Sequence, residues 1–402
     1  MRIVHIMTTL NQGGIGYFVE GLTASFRSQD VKSHFVLTRG LGERPIEVAA
    51  GQYPIYHCPE LYATFNPRLP YRIAKLIRQS AALWYGVRLA LLLRRLAPDV
   101  IHSHCHYSHW ITQLLAARLS GKPLVISLHS PNIEYAGRWR ARHLLPPLLR
   151  PNDRFIAPSS GILEVYNSFL ERVKPENIVS LPYGISTPEP ASPAKRNEAR
   201  ACLSIPEDAF VIGSVGRLLA VKRYSDVVEA MRLLRENGRR NAHLILVGTG
   251  EEEVHLSAQV KELGLTDCVH LLGFQADQHY WLNAFDVFVL ASLGEGFSIG
   301  VIEAMSHGLP IIGTDVSGTH DALADERAGL LVPPMNPAAL AGAIGRLMND
   351  PDLAKQMGDY GLGQFRANYE IGQVAEQYLQ FYRSLSGQSS PVSASVPAMP
   401  TR

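Results

Sequence analysis

Short apolar runs alternate with longer helical segments along almost the whole chain. In the first half the runs predict strands at Ile3–Met7, His34–Thr38, Val100–His102, Leu124–Leu128, Phe155–Ala157 and Ile178–Leu181. The second half repeats the rhythm, with strands predicted at Phe210–Val215, His243–Val247, Val269–Leu272, Val287–Leu290, Pro310–Thr314 and Gly329–Val332. Because helices separate the strands, the pattern predicts an α/β protein with two doubly wound, Rossmann-like domains built on parallel sheets.

Composition places the boundaries of these domains. Residues 185–197, rich in Pro, Ser and Ala, are predicted to be a linker between a first domain at 1–184 and a second at 198–364. Beyond 386 the chain is polar and small-residue rich, which predicts a disordered tail over 386–402. A length of 402 residues fits two domains, and 46% apolar residues exclude disorder of the whole.

Cysteine spacing and hydropathy limit the possible location. The four cysteines lack the close pairing of a zinc site or a disulfide scaffold, so free thiols in a reducing, cytoplasmic compartment are expected; they are Cys58, Cys105, Cys202 and Cys268. No run of 18 uncharged apolar residues is present, so no simple spanning helix is expected. The apolar start, Ile3–Met7, leads into a glycine turn and is interpreted as a first strand, not a signal peptide.

Charge differs strongly between the halves. Residues 1–190 contain 21 Lys and Arg against 12 Asp and Glu, whereas 191–402 contain 17 against 24. The basic half suggests an acidic ligand or anionic surface. A predicted helix between Pro70 and Pro98 mixes arginines with Leu, Ile and Trp84. It either lies on anionic lipid or steers a phosphorylated acceptor, or it is a domain helix whose arginines point outward, and both interpretations stay open.

The most informative stretch for chemistry runs from Gly294 to Asp315, GEGFSIGVIEAMSHGLPIIGTD. It predicts a helix over Ile299–Ser306 with Ser298 as N-cap. Backbone amides at a helix start favour a phosphate-like anion. Glu303, about one turn further, is placed to accept hydrogen bonds from a ribose diol, and Glu295 would meet the group beyond the phosphates.

A second stretch follows the strand Phe210–Val215. Gly216 ends the strand, Arg217 comes next, and Lys222 precedes a helix. A guanidinium and an ammonium at the carboxyl end of a parallel strand can neutralise a diphosphate opposite the helix amides. Together they predict a site for a doubly charged leaving group that needs no metal.

The first domain offers weaker signals. Gly13, Gly14 and Gly16 follow the first strand, where glycine permits close approach to a ligand, although a plain tight turn is an equal alternative. His129 follows a buried strand at the rim where sites of open sheets form, with a core or capping histidine as the alternative. A metal site is disfavoured at the nearby histidine run because no carboxylate or thiolate cluster matches its spacing; these histidines are His102, His104, His106 and His109.

These motifs, in this order, resemble the retaining glycosyltransferases of family 4, which have the GT-B fold and transfer a sugar from a nucleotide sugar. The resemblance covers nearly the whole ordered length. It includes the glycine turn, His129, PYGIS at 182–186, GRL before Lys222, LVGTGEEE at 246–253, LLGF at 271–274, the two glutamates eight residues apart, SGTHDAL and GLLVPP.

The resemblance implies roles for individual residues. Glu295, His129, Arg217 and Lys222 are the expected catalytic residues, with His129 touching the sugar from the other domain across a cleft. The expected nucleotide-sugar site comprises Gly14, Gly16, Arg217, Lys222, Gly273, Phe274, Glu295, Gly296, Phe297, Ser298, Ile299 and Glu303. It further implies that the last helix, 365–385, returns to the first domain. Two positions depart from the family pattern, Arg223 where Gly is usual and Asp321 where Glu is frequent.

In this family the departing phosphate oxygen helps to deprotonate the acceptor hydroxyl, so no protein base and no metal cofactor are expected. The one DxD, Asp350 and Asp352, is interpreted as a turn and helix cap. Expected partners are a UDP- or GDP-hexose donor and a glycan or lipid-linked acceptor of envelope or polysaccharide biosynthesis, on an anionic membrane surface at the cytoplasmic side. No nucleic acid partner is expected. A nonhydrolysing nucleotide-sugar epimerase and a catalytically silent nucleotide-sugar-binding protein are the alternatives.

Overall fold

The chain divides into two compact units. A computed structural model describes residues 1–10, 14–40, 53–59, 71–105, 109–129, 143–163, 166, 173–323 and 326–387. The first unit comprises Met1–Gly184 together with Ile371–Arg402, and the second comprises Ile185–Glu370.

The first unit is built on a seven-stranded parallel sheet of order β3-β2-β1-β4-β5-β6-β7. Its strands are β1 Arg2–Thr9, β2 Lys32–Gly40, β3 Ile55–His57, β4 Val100–Ser103, β5 Leu124–Ser127, β6 Arg154–Ala157 and β7 Ile178–Ser180. The principal helices are α1 Gly14–Phe26, α2 Tyr71–Leu96, α3 Trp110–Ser120 and, at the end of the chain, Ile371–Leu385.

The second unit has a six-stranded parallel sheet of order β10-β9-β8-β11-β12-β13. Its strands are β8 Phe210–Val215, β9 Ala242–Val247, β10 Val269–Leu271, β11 Val287–Leu290, β12 Ile311–Thr314 and β13 Gly329–Val332. Its helices are α4 Pro193–Ala201, α5 Tyr224–Glu236, α6 Glu253–Glu262, α7 Gln278–Leu282, α8 Ile299–Ser306, α9 Ser317–Leu323, α10 Pro337–Asn349 and α11 Pro351–Gln364; the helix Ile371–Leu385 of the first unit is α12.

The strands form because their apolar runs are buried between helices on both faces of each sheet, as parallel sheets require. Ile101 and Phe155 are fully buried in the first core, and Leu244 and Ile312 in the second. The predicted doubly wound α/β architecture is confirmed, with strand ends shifted by one or two residues. Strand β3 was not predicted because its three residues, Ile-Tyr-His, give too short an apolar signal.

The strand order reverses once in each sheet. Strand β1 lies between β2 and β4, and β8 lies between β9 and β11. The loops after two such neighbouring strands diverge to opposite faces and leave a crevice at the carboxyl edge, where open α/β sheets bind ligands.

The predicted linker is wrong at its carboxyl end, because Pro193–Asn197 form the first turns of α4. Ser192 caps this helix by accepting a hydrogen bond from the Lys195 amide, and Pro193 occupies the first helical position, which proline tolerates. The Pro- and Ser-rich composition therefore marks a helix start here.

Arg200 anchors α4 inside the second unit. Its side chain is 1% exposed and donates to the carbonyls of Ala209 and Ala284 and to Asp286, the last at 2.7 Å. Asp286 also accepts from the Val211 amide at 2.7 Å. The guanidinium thus ties α4 to the strand β8 and to the start of β11.

The last helix, α12, packs on α1 in the first unit. The rings of Phe18 and Tyr378 have centroids 5.5 Å apart, and those of Phe26 and Tyr382 are 6.1 Å apart. The preceding residues Phe365–Tyr369 form a π-helical turn that belongs to the second unit. Of the predicted disordered tail at 386–402, everything beyond 387 lies outside the described residues.

Replacing Arg200 by Met should destabilise the second unit by about 3 kcal/mol, because it removes a buried cationic partner of Asp286 and the guanidinium donor of the Ala209 and Ala284 carbonyls. Urea unfolding of wild type and Arg200→Met measures this change. The matched control is Lys195→Met on the same helix, whose exposed pair with Glu189 should contribute almost nothing. Equal losses in both variants would contradict the anchoring role.

Candidate active site

The strands β8 and β11 bring an ion pair together at the carboxyl edge of the second sheet. Lys222 Nζ lies 2.5 Å from Glu295 Oε1, with the side chains 21% and 8% exposed. The Ser292 hydroxyl donates to the same carboxylate oxygen at 2.5 Å. The two loops are also joined by their backbones, since the Leu293 amide donates to the Val221 carbonyl at 2.8 Å. The structure therefore joins the two motifs that the sequence marks separately.

The residue after Lys222 explains one departure from the family pattern. Arg223 has φ 52° and ψ 38°, a left-handed conformation in which glycine is usual. Its guanidinium donates twice to the carboxylate of Asp226, at 3.0 and 2.6 Å. This bidentate bond compensates the strained backbone, so Arg can stand where the family has Gly.

Glu295 is supported from behind by residues that the sequence analysis did not single out. A Cβ placed on Gly318 would lie 2.5 Å from the Glu295 carbonyl oxygen, so only glycine fits where α9 meets this loop. The Thr314 hydroxyl donates to the Ser292 carbonyl at 2.6 Å. Gly318 lies in the SGTHDAL motif. The sequence identifies this motif as part of the family resemblance but does not indicate that its glycine packs against Glu295.

The helix α8 begins directly after this loop, as predicted. Ser298 has an extended backbone at φ −90° and occupies the N-cap position, but its side chain makes no capping bond. The first amides of α8 thus lack a side-chain cap from Ser298 and suit an anion. Gly300 lies with its Cα near the end of β8, because an added Cβ would be 3.3 Å from the Val215 carbonyl oxygen. This contact holds the helix start beside the strand that leads to Arg217 and Lys222.

Glu303 is half-buried on α8, and among the described residues its carboxyl group has no hydrogen-bond partner. Burial raises the pKa of Glu303 to about 7 from its ordinary 4.5. A buried acceptor without a donor is suited to a ligand that supplies hydroxyl groups.

The remaining predicted residues of this unit lie on the same edge of the sheet. Arg217 follows β8 and is exposed, with no side-chain partner in the described part of the chain. Gly273, after β10, has φ 66° and accepts at its carbonyl from the Gly248 amide at 2.8 Å. Phe274 follows Gly273. Gly296, Phe297 and Ile299 lie between Glu295 and the body of α8, with the Phe297 ring 5.9 Å from that of Tyr369.

Gly14, Gly16 and His129 belong to the first unit. Gly14 begins α1 after β1, and Gly16 is buried within that helix, whereas Gly13 lies outside the described residues. His129 follows β5 and is half-buried. All three lie on the carboxyl side of the first sheet, and Gly14 and Gly16 follow β1, the strand at which the order reverses.

Behind His129 lies a group of buried histidines on one face of the first sheet. His104 Nδ1 lies 3.2 Å from His129 Nε2, and His104 Nε2 lies 3.2 Å from His5 Nδ1. His102 bonds the hydroxyls of Ser127 and Tyr382 with its two ring nitrogens, at 2.8 and 2.6 Å. Three of these rings, His5, His102 and His104, have nitrogens within 4.8 Å of one another, as metal ligands can. Both His102 nitrogens are already hydrogen-bonded, which argues against metal ligation there. His106 lies outside the described residues.

The interpretation of the DxD is confirmed. Asp350 caps α11 by accepting from the Leu353 amide at 2.9 Å, and Asp352 lies in the first turn of that helix. Both carboxylates therefore serve the helix start.

Comparison with known proteins assigns the family. The model of glycosyl transferases group 1 matches residues 195–364, and the model of glycosyltransferase family 4 matches residues 12–189. The chain therefore belongs to the group 1, family 4 glycosyltransferases and has the GT-B fold. It is a glycosyltransferase, as the motifs predict.

Relatives and solved structures agree over most of the chain. The alpha-D-kanosaminyltransferase of Streptomyces kanamyceticus is 24% identical over 380 residues, covering 88% of this chain and 95% of the relative. The D-inositol 3-phosphate glycosyltransferase of Corynebacterium urealyticum is 28% identical over 314 residues, or 72% of each chain. The structure of Anabaena HepE in complex with UDP and glucose matches with a TM-score of 0.80 at 19% identity, over 96% of this chain and 100% of HepE.

Replacing Glu303 by Gln should stabilise the ligand-free protein at pH 8 but not at pH 4.5. The folded protein binds the Glu303 proton more tightly than the unfolded chain, so the protonated carboxyl group favours folding at pH values below the unfolded pKa. This stabilisation is lost as the pH rises through about 7. Gln cannot ionise, so Glu303→Gln should raise the free energy of unfolding at pH 8 by ~1–3 kcal/mol. Urea unfolding at the two pH values measures it. The exposed Glu262→Gln is the control and should change little at either pH. A gain for Glu303→Gln that does not vary with pH would contradict the burial argument.

Proposed function

We propose that the chain is a metal-independent, retaining glycosyltransferase that moves a hexose from a nucleotide diphosphate sugar to a hydroxyl group of a glycan or glycolipid. The observation that supports it best is the contact between Lys222 and Glu295 beside the start of α8. In this proposal Lys222, Arg217 and the α8 amides bind the diphosphate, Glu303 accepts from the ribose, and Glu295 lies against the sugar.

The site suits departure of a diphosphate. When the bond between the anomeric carbon and the phosphate oxygen breaks, its electron pair stays on that oxygen, and the negative charge meets fixed cations and amides. The acceptor oxygen forms its bond to the anomeric carbon on the same face, and its proton goes to the departing phosphate oxygen. This route retains the configuration and uses no protein base.

The ligand-free ion pair has a consequence for binding. Lys222 is neutralised by Glu295 before a donor arrives, so the diphosphate must share the ammonium with this carboxylate. A sugar hydroxyl that donates to Glu295 would then replace part of the lost interaction. Coupled exchange of this kind favours a ligand with a diphosphate and a polyhydroxyl group together over free nucleotide.

A UDP-hexose is the proposed donor. HepE has been solved with UDP, with UDP and glucose, and with UDP-glucose, and it shares the fold of this chain. The loop at Gly273 and Phe274 would hold the base. The acceptor is proposed only by class, as a hydroxyl of a glycan or glycolipid.

Replacing Lys222 by Met or Glu295 by Gln should each lower turnover of UDP-glucose by roughly 10²- to 10³-fold. The first change removes a preorganised cation at the departing phosphate, and the second removes the carboxylate beside the sugar, where positive charge develops. Release of UDP, with and without added acceptor, is the measurement. Lys355→Met, which breaks an exposed ion pair with Asp359, is the matched control and should retain full turnover. EDTA should leave turnover unchanged.

The same assay separates the alternatives. Inversion at C2 of the donor sugar, without transfer of that sugar to an acceptor, would identify an epimerase. Binding of UDP-sugars without any turnover would identify a silent binding protein. Full activity in both site variants would remove the assigned site.

A surface of the first unit supports peripheral attachment to an anionic membrane, which we propose for this enzyme. On α2, Leu83, Trp84, Val87 and Leu91 are exposed by 71, 57, 38 and 60%, and on the neighbouring α3, Leu115 and Leu119 are exposed by 46 and 54%. The two helices pack closely, since Arg94 Nε donates to the Leu119 carbonyl at 2.8 Å. Arg94 and Arg95 are exposed near the end of α2. Within the described residues, no helix is both long and apolar enough to cross a bilayer.

Vesicles containing acidic lipid should bind the protein, and binding should weaken with salt because arginines contribute to it. Replacing Trp84 and Leu91 together by Ser should weaken binding about tenfold through lost apolar burial. Co-sedimentation measures both effects. Val254→Ser, which removes an 82% exposed apolar side chain from the second unit, is the control and should bind normally. Binding that is independent of both lipid charge and these residues would exclude the surface.

A further inference from the structure

The buried histidines behind His129 form a continuous hydrogen-bond chain. Its links are His5 Nδ1 to His104 Nε2 at 3.2 Å, His104 Nδ1 to His129 Nε2 at 3.2 Å, and His129 Nδ1 to the Tyr183 hydroxyl at 2.5 Å. Adjacent rings are also stacked, with centroids 5.5 Å apart for His5 and His104 and 5.3 Å for His104 and His129. This hydrogen-bond chain thus crosses from β1 past β4 to the end of β5.

Period-two spacing along parallel strands places these side chains on one face. His5 pairs with His102 in the sheet register, and His104 and His129 follow two residues after His102 and Ser127. That face is covered by α1 and α12 through Phe18, Tyr378 and Tyr382. The sequence motif HSHCH therefore supplies links of a buried network.

All of the rings are neutral near pH 7. Burial lowers the pKa of His5 and of His129 to about 3, and burial together with the neighbouring imidazoles lowers the pKa of His102 and His104 well below the usual range. Among the described residues, the other titratable groups that face these histidines are Tyr183, Tyr378 and Tyr382, whose pKa values burial raises. A neutral imidazole has one donor and one acceptor nitrogen.

This rule leaves two proton arrangements for the chain. If every N–H points toward His5, then His5 Nε2 becomes a buried donor, yet this atom has no hydrogen-bond partner among the residues that the structure describes. If every N–H points toward Tyr183, His5 Nε2 is a bare lone pair instead. Orphaned buried N–H groups are the rarer defect in proteins, so the second arrangement is favoured. His5, His104 and His129 then all carry the proton on Nδ1.

We propose that His104 is a positioning residue for His129, which it holds as a fixed Nδ1–H imidazole with both ring nitrogens engaged inside the first unit. The inference rests on the proposed function and on the catalytic role that the family resemblance implies for His129. An imidazole with both nitrogens engaged exchanges no proton with substrate. The hydrogen-bond chain therefore gives His129 no role as an acid or a base, in agreement with a reaction in which the phosphate takes the acceptor proton.

Nitrogen-15 NMR of the full-length, histidine-labelled protein tests the proton positions in the hydrogen-bond chain without reference to activity. His129, His104 and His5 should show protonated Nδ1 and unprotonated Nε2, unchanged from pH 5.5 to 8.5. A His129 signal that titrates in this range, or that carries the proton on Nε2, would overturn the proposal. Addition of Zn²⁺ should leave the signals in place. Metal coordination that breaks the hydrogen bonds between these histidines would also overturn the proposal.

Kinetics of three variants tests the positioning role. His104→Leu should lower kcat with UDP-glucose about tenfold or more while KM changes less than about twofold, and it should add an acidic fall to the pH profile as His129 begins to titrate. His104→Asn, whose amide N–H can replace the Nδ1 donor, should recover much of the loss. Tyr382→Phe is the matched control, because it removes a buried hydrogen bond to His102 that is not part of the hydrogen-bond chain. This variant should keep the wild-type pH profile.

The outcomes separate the two proposals. Wild-type kcat and pH profile in a folded His104→Leu protein would overturn the positioning role while the transferase proposal stands. No turnover of any UDP- or GDP-hexose by wild type would remove the transferase proposal. The NMR experiment alone would then decide whether the hydrogen-bond chain has the proposed proton positions. If His104→Leu does not fold, the NMR of wild type and the kinetics of His104→Asn give the answer.

Discussion

Parallel strand direction is the constraint on which this molecule depends. Every described strand pairs in parallel with its neighbours, so all carboxyl ends within a sheet meet at one edge. The reversal of strand order between β8 and β11 then opens that edge, and residues 73 positions apart in sequence, Lys222 and Glu295, come within 2.5 Å. The chemistry of the second unit follows from this topology more than from any single motif.

The electrostatics of the ligand-free site are balanced locally. Glu295 is buried yet stays tied to Lys222 and to the Ser292 hydroxyl, as a buried carboxylate requires. Glu303 has no such partner in the described part of the chain, and burial raises its pKa to about 7. The site therefore contains one satisfied and one unsatisfied carboxyl group on either side of the α8 start, an arrangement that a nucleotide sugar, with its hydroxyl groups and diphosphate, complements.

The sequence predicted what local patterns determine. Periodicity located the strands and α8, and composition together with motif order indicated the family. Local sequence patterns did not predict contacts between residues far apart in the chain. Examples are the buried ion pair of Arg200 with Asp286 and the packing of Gly318 against Glu295. The linker prediction failed at Pro193 because a Pro- and Ser-rich segment is equally typical of a helix start. The histidine run was recognised, but its partner His5, a single residue in the first strand, gave no signal.

A crystal structure of the full-length protein with bound UDP would show whether the nucleotide diphosphate binds at the carboxyl edge of the second sheet. We expect diphosphate oxygens within hydrogen-bond distance of Lys222, Arg217 and the backbone amides at the start of α8, with the ribose hydroxyls donating to Glu303. A diphosphate bound away from these groups, or a ribose that leaves Glu303 without a hydrogen bond, would contradict it.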